Sequence, residues 1–447
     1  HQRSARAEAQ RLHHEVNERR ETERKSMANT FYIRADGNNR ASGLTDAEAW
    51  ADFTPLAGRT LLPGERVLLR RGDCWDQQLT VCGGGTGDKP VVIGAYGDGP
   101  LPVIRRSGHI SERCVRLENP HHLILEDLEV CQAGAGIVLF YRRSYHNEDV
   151  TIRRIEAHDF FGIYRASGES SRNPDWQSYR APDRVGFSLG ICVTGEDTTP
   201  DNDTRVLTGF TVQDCHIYRT GAGIGLDWCD HRNSDGTVTG CNKFGGVRFE
   251  RLNLHDNTVP DVSLTSMFLQ CVTGAVLRDT VIDTGAGGAP WGTAAIHLQL
   301  ARDVLIENVT IRHMPHTGVS DECGIDFEAD VQNCTIRGCT FEDNAGAAIE
   351  FLANFEMSPF AASRGTVIED CVFCNNNWAR LYEEPGQILV KLWQHDNCPT
   401  GTVRRCRYEN PEGVRFVGGD GIRTCFIEKD NRPYAAAAAA EERGCAV

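Results

Sequence analysis

The sequence predicts an all-β chain, a right-handed parallel β-helix (β-solenoid) with an N-terminal cap. Three observations carry this: a strand phrase that recurs along the chain, a second short apolar strand ahead of each copy, and the lack of a helical period. The phrase apolar-x-apolar-x-x-apolar-x-apolar reads LILEDLEV at 123, VTIRRIEA at 150, FTVQDCHI at 210 and VRFERLNL at 247. It returns as AVLRDTVI at 275, VLIENVTI at 304, CTIRGCTF at 334, TVIEDCVF at 366 and GTVRRCRY at 401. Its anchors Phe249, Leu277, Ile306, Ile336, Ile368 and Val403 are 28, 29, 30, 32 and 35 residues apart. Repeats of that length mean stacked units, and short alternating strands parted by Gly, Asn and Asp make the units β-coils.

The second strand reads AGIVLF at 135, FGIYRA at 161, LGICVT at 189, AGIGLD at 222 and TSMFLQ at 265, then AAIHLQ at 294, CGIDFE at 323, AAIEFL at 347 and GQILVK at 386. Each lies one coil beyond the last, so these strands are expected to form one parallel sheet. Alternation then points Ile224, Met267, Ile296, Ile325, Ile349 and Ile388 inward. It places Gly225, Phe268, His297, Asp326, Glu350 and Leu389 in one outward column, and Asp227, Gln270, Gln299, Glu328, Leu352 and Lys391 in another.

The N-terminal stretches FYIRADGNNRASGLTDAEAW and LLPGERVLLRRGDCWDQQLTV fit the covered end of such a solenoid. Residues 1–26 read as a polar extension, helical or disordered, with Met27 a candidate natural start. Residues 27–430 read as one β-helix catalytic domain, and residues 431–447, with PYAAAAAAEERGCAV, as a low-complexity tail.

A formal net charge of -15 disfavours nucleic acid and anionic membrane as partners and suits a neutral sugar better than a polyanion. No stretch is long and apolar enough to span a bilayer. Of 18 cysteines, Cys215, Cys334, Cys339, Cys371 and Cys406 fall inside strand phrases and are expected to be buried free thiols packing as small hydrophobes. That usage suggests a cytoplasmic setting, a secreted chain without its leader being the alternative. Oligomeric state is not readable.

Chemistry concentrates in one patch: His297, Gln299, Asp326, Glu328 and Glu350, with Gln270 and Asp227 beyond it. Asp326 and Glu350 are expected at matching positions on adjacent coils. Like charges so placed repel and push one pKa upward, which a glycosidase needs and a structural coil does not. One carboxylate attacks the anomeric carbon, and the other, kept protonated, donates to the leaving oxygen. Glu328 shares a face with Asp326 and is a second candidate acid. His297 is placed to hydrogen-bond a sugar or tune Asp326. Trp228, Trp291 and Trp393 are candidate sugar platforms, although each serves equally well as cover for a core edge.

The segment IDFEADVQNCTIRGCTFEDNAGAAIEF resembles the catalytic stretch of the family-120 glycoside hydrolases, the β-helix β-xylosidases. That family carries an Asp-aromatic-Glu-Ala motif on one coil and an apolar-Glu-apolar strand one coil later. The resemblance implies a retaining β-xylosidase-like activity on an oligosaccharide or polysaccharide, with Asp326 as nucleophile and Glu350 as acid/base, and no cofactor. It covers two coils well; the loop from Asp to Glu is one residue longer here, and the family's large N-terminal insertions are not matched. Two rivals stand beside it. A polysaccharide lyase would use acidic side chains for Ca²⁺ and Lys391 as base against a uronate. A non-catalytic carbohydrate-binding β-helix would show a repetitive surface without one acidic focus.

Overall fold

A computed structural model describes residues 28–108, 112–160, 189–195, 204–226, 242–260, 263–289, 292–353, 362–392, 398–419 and 426–434. Within them regular helix is confined to two three-residue 3₁₀ turns, Asp46–Glu48 and Thr54–Leu56. Every pairing between named strands is parallel, from Thr30–Ile33 against Arg66–Arg70 to Arg407–Glu409 against Arg432–Pro433. No helix of the described residues is long and apolar enough to cross a membrane.

The recurring phrase is two strands joined by a bend. Its x-x step carries a residue in the left-handed region: Asp127 (φ 57°), Asp214 (54°), Asp279 (51°), Asn308 (53°), Gly338 (62°) and Asp370 (56°). Asp, Asn and Gly tolerate that conformation best, so their recurrence at one place in the phrase marks the corner. Phe249, Leu277, Ile306, Ile336, Ile368 and Val403 pair in unbroken register on successive coils, as the spacing predicts.

Register forces each side chain to meet its counterpart one coil on. Inside, like stacks on like: Phe327 on Phe351 at 4.3 Å and Phe341 on Phe373 at 5.0 Å between ring centroids. Buried amides also ladder, with Asn344 Nδ2 donating to Asn376 Oδ1 at 2.7 Å. At the corner, the thiols of Cys339, Cys371 and Cys406 each reach a main-chain carbonyl of the coil before, those of Ile306, Ile336 and Ile368. The five cysteines of the strand phrases are free and buried as expected. Cys398, outside those phrases, is disulfide-bonded and departs from the free-thiol reading. At the N-terminal end Trp50 stacks on Phe31 at 5.0 Å, and Phe53 packs against Trp75, closing the core with aromatic rings.

Outside, the chain alternates charge. On the face after the site sheet, Glu250, Arg278, Glu307, Arg337, Glu369 and Arg404 are successive register partners. Arg278 Nη2 is 2.7 Å from Glu250, Arg337 Nη2 2.5 Å from Glu307 and Arg404 Nη2 2.7 Å from Glu369. The corners repeat the device: Arg154 is bidentate to Asp127, Arg251 to Asp214 and Arg405 to Asp370.

These arginines hold the three aspartates below their usual pKa of 3.8, chiefly by hydrogen bonds from Arg154, Arg251 and Arg405. A depressed carboxyl stabilises the fold above its unfolded pKa, and the contribution disappears as pH falls through the folded value. Each pair is near the surface, so each contributes only a small, salt-screened part of the stability. The triple variant Asp127→Asn, Asp214→Asn, Asp370→Asn is therefore expected to lose stability at pH 6 and to show a shallower decline than wild type below pH 4, read by urea midpoint against pH.

Candidate active site

The site lies on the sheet formed by the second strands: Ala222–Leu226, Thr265–Gln270, Ala294–Arg302, Cys323–Gln332, Ile349–Ala353 and Gly386–Leu392. Ile224, Met267, Ile296, Ile325, Ile349 and Ile388 are fully buried on its inner side. The first outward column follows the predicted register: Gly225 pairs with Phe268, then His297, Asp326, Glu350 and Leu389.

The second column holds only in part. Gln270 pairs with Gln299, their side chains hydrogen-bonded, and Leu352 pairs with Lys391. Between them the register shifts at Leu298/Gln299, and Gln299 meets Ala329 rather than Glu328. Glu328 is thus the extra residue of a bulge, a device that re-aims a side chain. It turns toward its own neighbours: single donor atoms of His297, Asp326 and Glu328 lie within 4.8 Å of one another. Asp227, Trp228, Trp291 and Trp393 lie outside the described residues.

Asp326 and Glu350 are 3% and 0% exposed. Asp326 Oδ2 lies 3.0 Å from His297 Nδ1, while Asp326 Oδ1 and both oxygens of Glu350 are buried without a hydrogen-bond partner. Burial and then the neighbouring carboxylate of Asp321 push both Asp326 and Glu350 well above the carboxylate range. Burial and Asp326 push Glu328 up to about 8. Burial lowers the His297 pKa, keeping the ring neutral, and its face stacks on Phe268 at 4.6 Å. Carboxyls this close, shielded from water, cannot all ionise, so the cluster retains protons at neutral pH.

Two members were invisible to strand patterning. Asp321 stands in a left-handed turn (φ 68°) just before its strand, and burial raises its pKa. Its Oδ1 accepts from the Tyr382 hydroxyl at 2.8 Å. The turn is built round the carboxylate of Glu322, fully buried, whose Oε1 accepts from the amides of Thr317, Gly318 and Val319 and whose Oε2 is 2.7 Å from His316 Nδ1. Gly292 leaves room for Asp321: a Cβ there would come within 1.8 Å of Asp321 Oδ2 and displace that carboxyl. The Lys391 ammonium sits 3.5 Å from the centre of the Tyr382 ring and counteracts the rise at Glu350. Tyr382, Glu384, Leu389 and Lys391 line a cavity of about 200 Å³ beside Glu350. The strand period gave no sign of Asp321 or Tyr382; the Gly-Thr before AAIHLQ and the turn letters SDE before CGIDFE were the only traces.

The sequence matches the family described as right handed beta helix region over residues 190–427, more than half its length, and the chain belongs to that family. No curated protein matches it in sequence. In fold it is similar to the GH136 lacto-N-biosidase from Eubacterium ramulus, at TM-score 0.62 and 17% identity over 94% of this chain and 70% of that one. It is also similar, more distantly, to an alginate lyase from Paenibacillus sp. str. FPU-7 (TM-score 0.46, 14% identity, 87% of this chain and 99% of that one). A xylose complex of XylC matches at TM-score 0.38 and 8% identity, over 90% of this chain and 87% of that one. At 17% identity the likeness to the lacto-N-biosidase shows a shared fold, the parallel β-helix.

A carboxyl held protonated by the fold stabilises it below the unfolded pKa and ceases to do so as pH rises through the folded value. Glu350→Gln, which keeps the shape and removes the ionisation, is therefore expected to match wild type in thermal stability near pH 4.5. It should exceed wild type increasingly toward pH 9, by about 1–3 kcal/mol at the upper end. Melting temperature across that range checks this; a constant difference at every pH would contradict it.

Proposed function

We propose that the chain is a glycoside hydrolase whose reacting carboxyls are Asp326 and Glu350. The observation that carries this is a broken rule. The neighbouring face of the same coils alternates Glu and Arg from Glu250 to Arg404, yet here the register stacks acid on acid, both buried, with Asp326 Oδ1 and both Glu350 oxygens lacking a hydrogen-bond partner. Such stacking costs stability, and it is the arrangement glycosidic cleavage uses.

The roles follow from the surroundings. Asp326 has a hydrogen bond with the Glu328 side chain, which favours its ionised form, and the His297 imidazole beside one oxygen, whereas Glu350 has no donor to hold a negative charge. Asp326 is assigned as nucleophile: its oxygen bonds to the anomeric carbon as the glycosidic C–O bond breaks. Glu350 gives its proton to the departing oxygen. Glu350, now ionised, takes a proton from water, the water oxygen bonds to the anomeric carbon, and Asp326 leaves as carboxylate. In-register strands stand about 4.8 Å apart, which suits the roughly 5–5.5 Å carboxyl separation of a retaining enzyme over the wider gap of an inverting one. Glu328 and Asp321, whose pKa values are also raised, keep the pair's charge state sensitive to pH. Gln270, Gln299 and Lys391 are the polar groups placed to meet sugar hydroxyls.

The substrate is proposed to be an oligosaccharide or polysaccharide, with a β-xyloside the first choice from the local resemblance and the lacto-N-bioside named for the structural neighbour the second. The Ca²⁺-dependent lyase is the weaker reading. Ca²⁺ takes six to eight oxygens, whereas the described cluster puts an imidazole in one corner and Lys391 near the acids.

Aryl β-xylosides, lacto-N-biosides and uronate polymers offered to wild type, Asp326→Asn and Glu350→Gln test the assignment. Sugar release is expected from a glycoside, abolished by Asp326→Asn. Glu350→Gln should lower kcat about 10²–10⁴-fold, least with leaving groups that need no protonation. Unsaturated uronate, or loss of activity with a chelator, would favour the lyase. Silence across the panel, with folded protein, would favour a carbohydrate-binding scaffold.

A further inference from the structure

The third face of the coils carries a second cluster, far along the solenoid from the acidic site. Glu129 and Cys131 alternate outward from the strand Leu123–Ala133, and His158, on the strand Asn147–Phe160, is the register partner of Cys131. One donor atom from each of Glu129, Cys131 and His158 lies within 4.8 Å of the other two. The ring of His158 is fixed by its other nitrogen: Nδ1 is 2.7 Å from Asp159 Oδ2, and that carboxylate is clamped by Arg219 through Nε at 2.5 Å and Nη2 at 2.7 Å. Tyr218 stacks on the same ring at 4.8 Å, with 8° between planes.

With Nδ1 as donor to Asp159, the Nε2 lone pair faces the Glu129 carboxylate at 3.4 Å. Two acceptors then point at each other unless a proton or a cation lies between them. The buried Cys131 thiol completes the corner; burial and then Glu129 push its pKa up to about 12. A carboxylate, a thiol and an imidazole oriented by a second carboxylate are the donor set and outer shell of a tetrahedral zinc site. Hard cations such as Ca²⁺ and Mg²⁺ avoid sulfur. Arg105, register partner of Cys131, is engaged by Asp76 at 2.6 Å.

We propose that Glu129, Cys131 and His158 bind a zinc ion, leaving one coordination position for water, at a site separate from Asp326 and Glu350. Binding exchanges the thiol proton of Cys131, and any proton on His158 Nε2, for the metal, so uptake releases protons to solvent. The acidic site also holds a His/Asp/Glu triplet with no sulfur among its three donors, although the buried Cys323 thiol lies near Glu350 and Asp326, so the Cys131→Ser comparison is what separates the two sites.

The test loads the full-length chain with Co²⁺, removes free metal, and reads absorption and metal content. One retained equivalent with a thiolate-to-cobalt charge-transfer band, displaced by Zn²⁺, is expected. The band should vanish in Cys131→Ser and His158→Asn and persist in Cys74→Ser, the exposed thiol two coils away in register from Glu129. Asp159→Asn, which leaves all three ligands in place, should weaken binding about 10–100-fold. No retained metal at neutral pH, or a band unchanged in Cys131→Ser, overturns the site.

Discussion

Everything in this fold depends on register. Parallel coils stack about 4.8 Å apart, and each residue must be compatible with the one at its own position on the coils above and below. The sequence meets that constraint in a different way on each surface. Inside, aromatic rings lie on aromatic rings and amides on amides. At the corners, left-handed Asp residues receive the guanidinium of the next coil. On the outer face from Glu250 to Arg404 charge reverses at every step.

Against that background the Asp326–Glu350 pair stands out because the same constraint works against it. The two side chains share a position on consecutive strands, and no cation intervenes in their column. His297 on one side is neutral, and Leu389 on the other is apolar. Lys391 is two register pairs along, over the Tyr382 ring, close enough to moderate Glu350 while both Glu350 oxygens lack a hydrogen-bond partner. The outcome is a cluster that keeps protons where free carboxylates would have lost them. Glu322 serves the opposite purpose with the same chemistry: fully supplied with amide donors, it acts as the keystone of the turn that presents Asp321.

The repeat length, the inward isoleucines and the first outward column were legible because they rest on the strand period and the coil spacing, which act locally and repeat. The pairing of Asp326 with Glu350 followed from those two facts alone. Glu328 was misplaced because alternation assumes an unbroken strand, and a one-residue bulge at Leu298/Gln299 is a property of two strands together. Asp321 and Tyr382 escaped because both stand in turns with positive φ, where no period exists to aim a side chain. The charge ladder was readable in principle, since Glu and Arg alternate at the anchors' own spacing, but it gains meaning only beside the place where alternation stops. Glu129, Cys131 and His158 sit in ordinary strand phrases, and only the register shows that they meet.

The most direct measurement of the central claim is identification of the residue that carries sugar during turnover. Wild-type enzyme is mixed with the best cleaved glycoside, quenched in acid within the first turnovers, digested and analysed by mass spectrometry. The account predicts one peptide heavier by the glycosyl group, esterified at Asp326. A glycosyl ester on Glu350, Glu328 or Asp321 instead, or a product of inverted anomeric configuration with no ester, would contradict it.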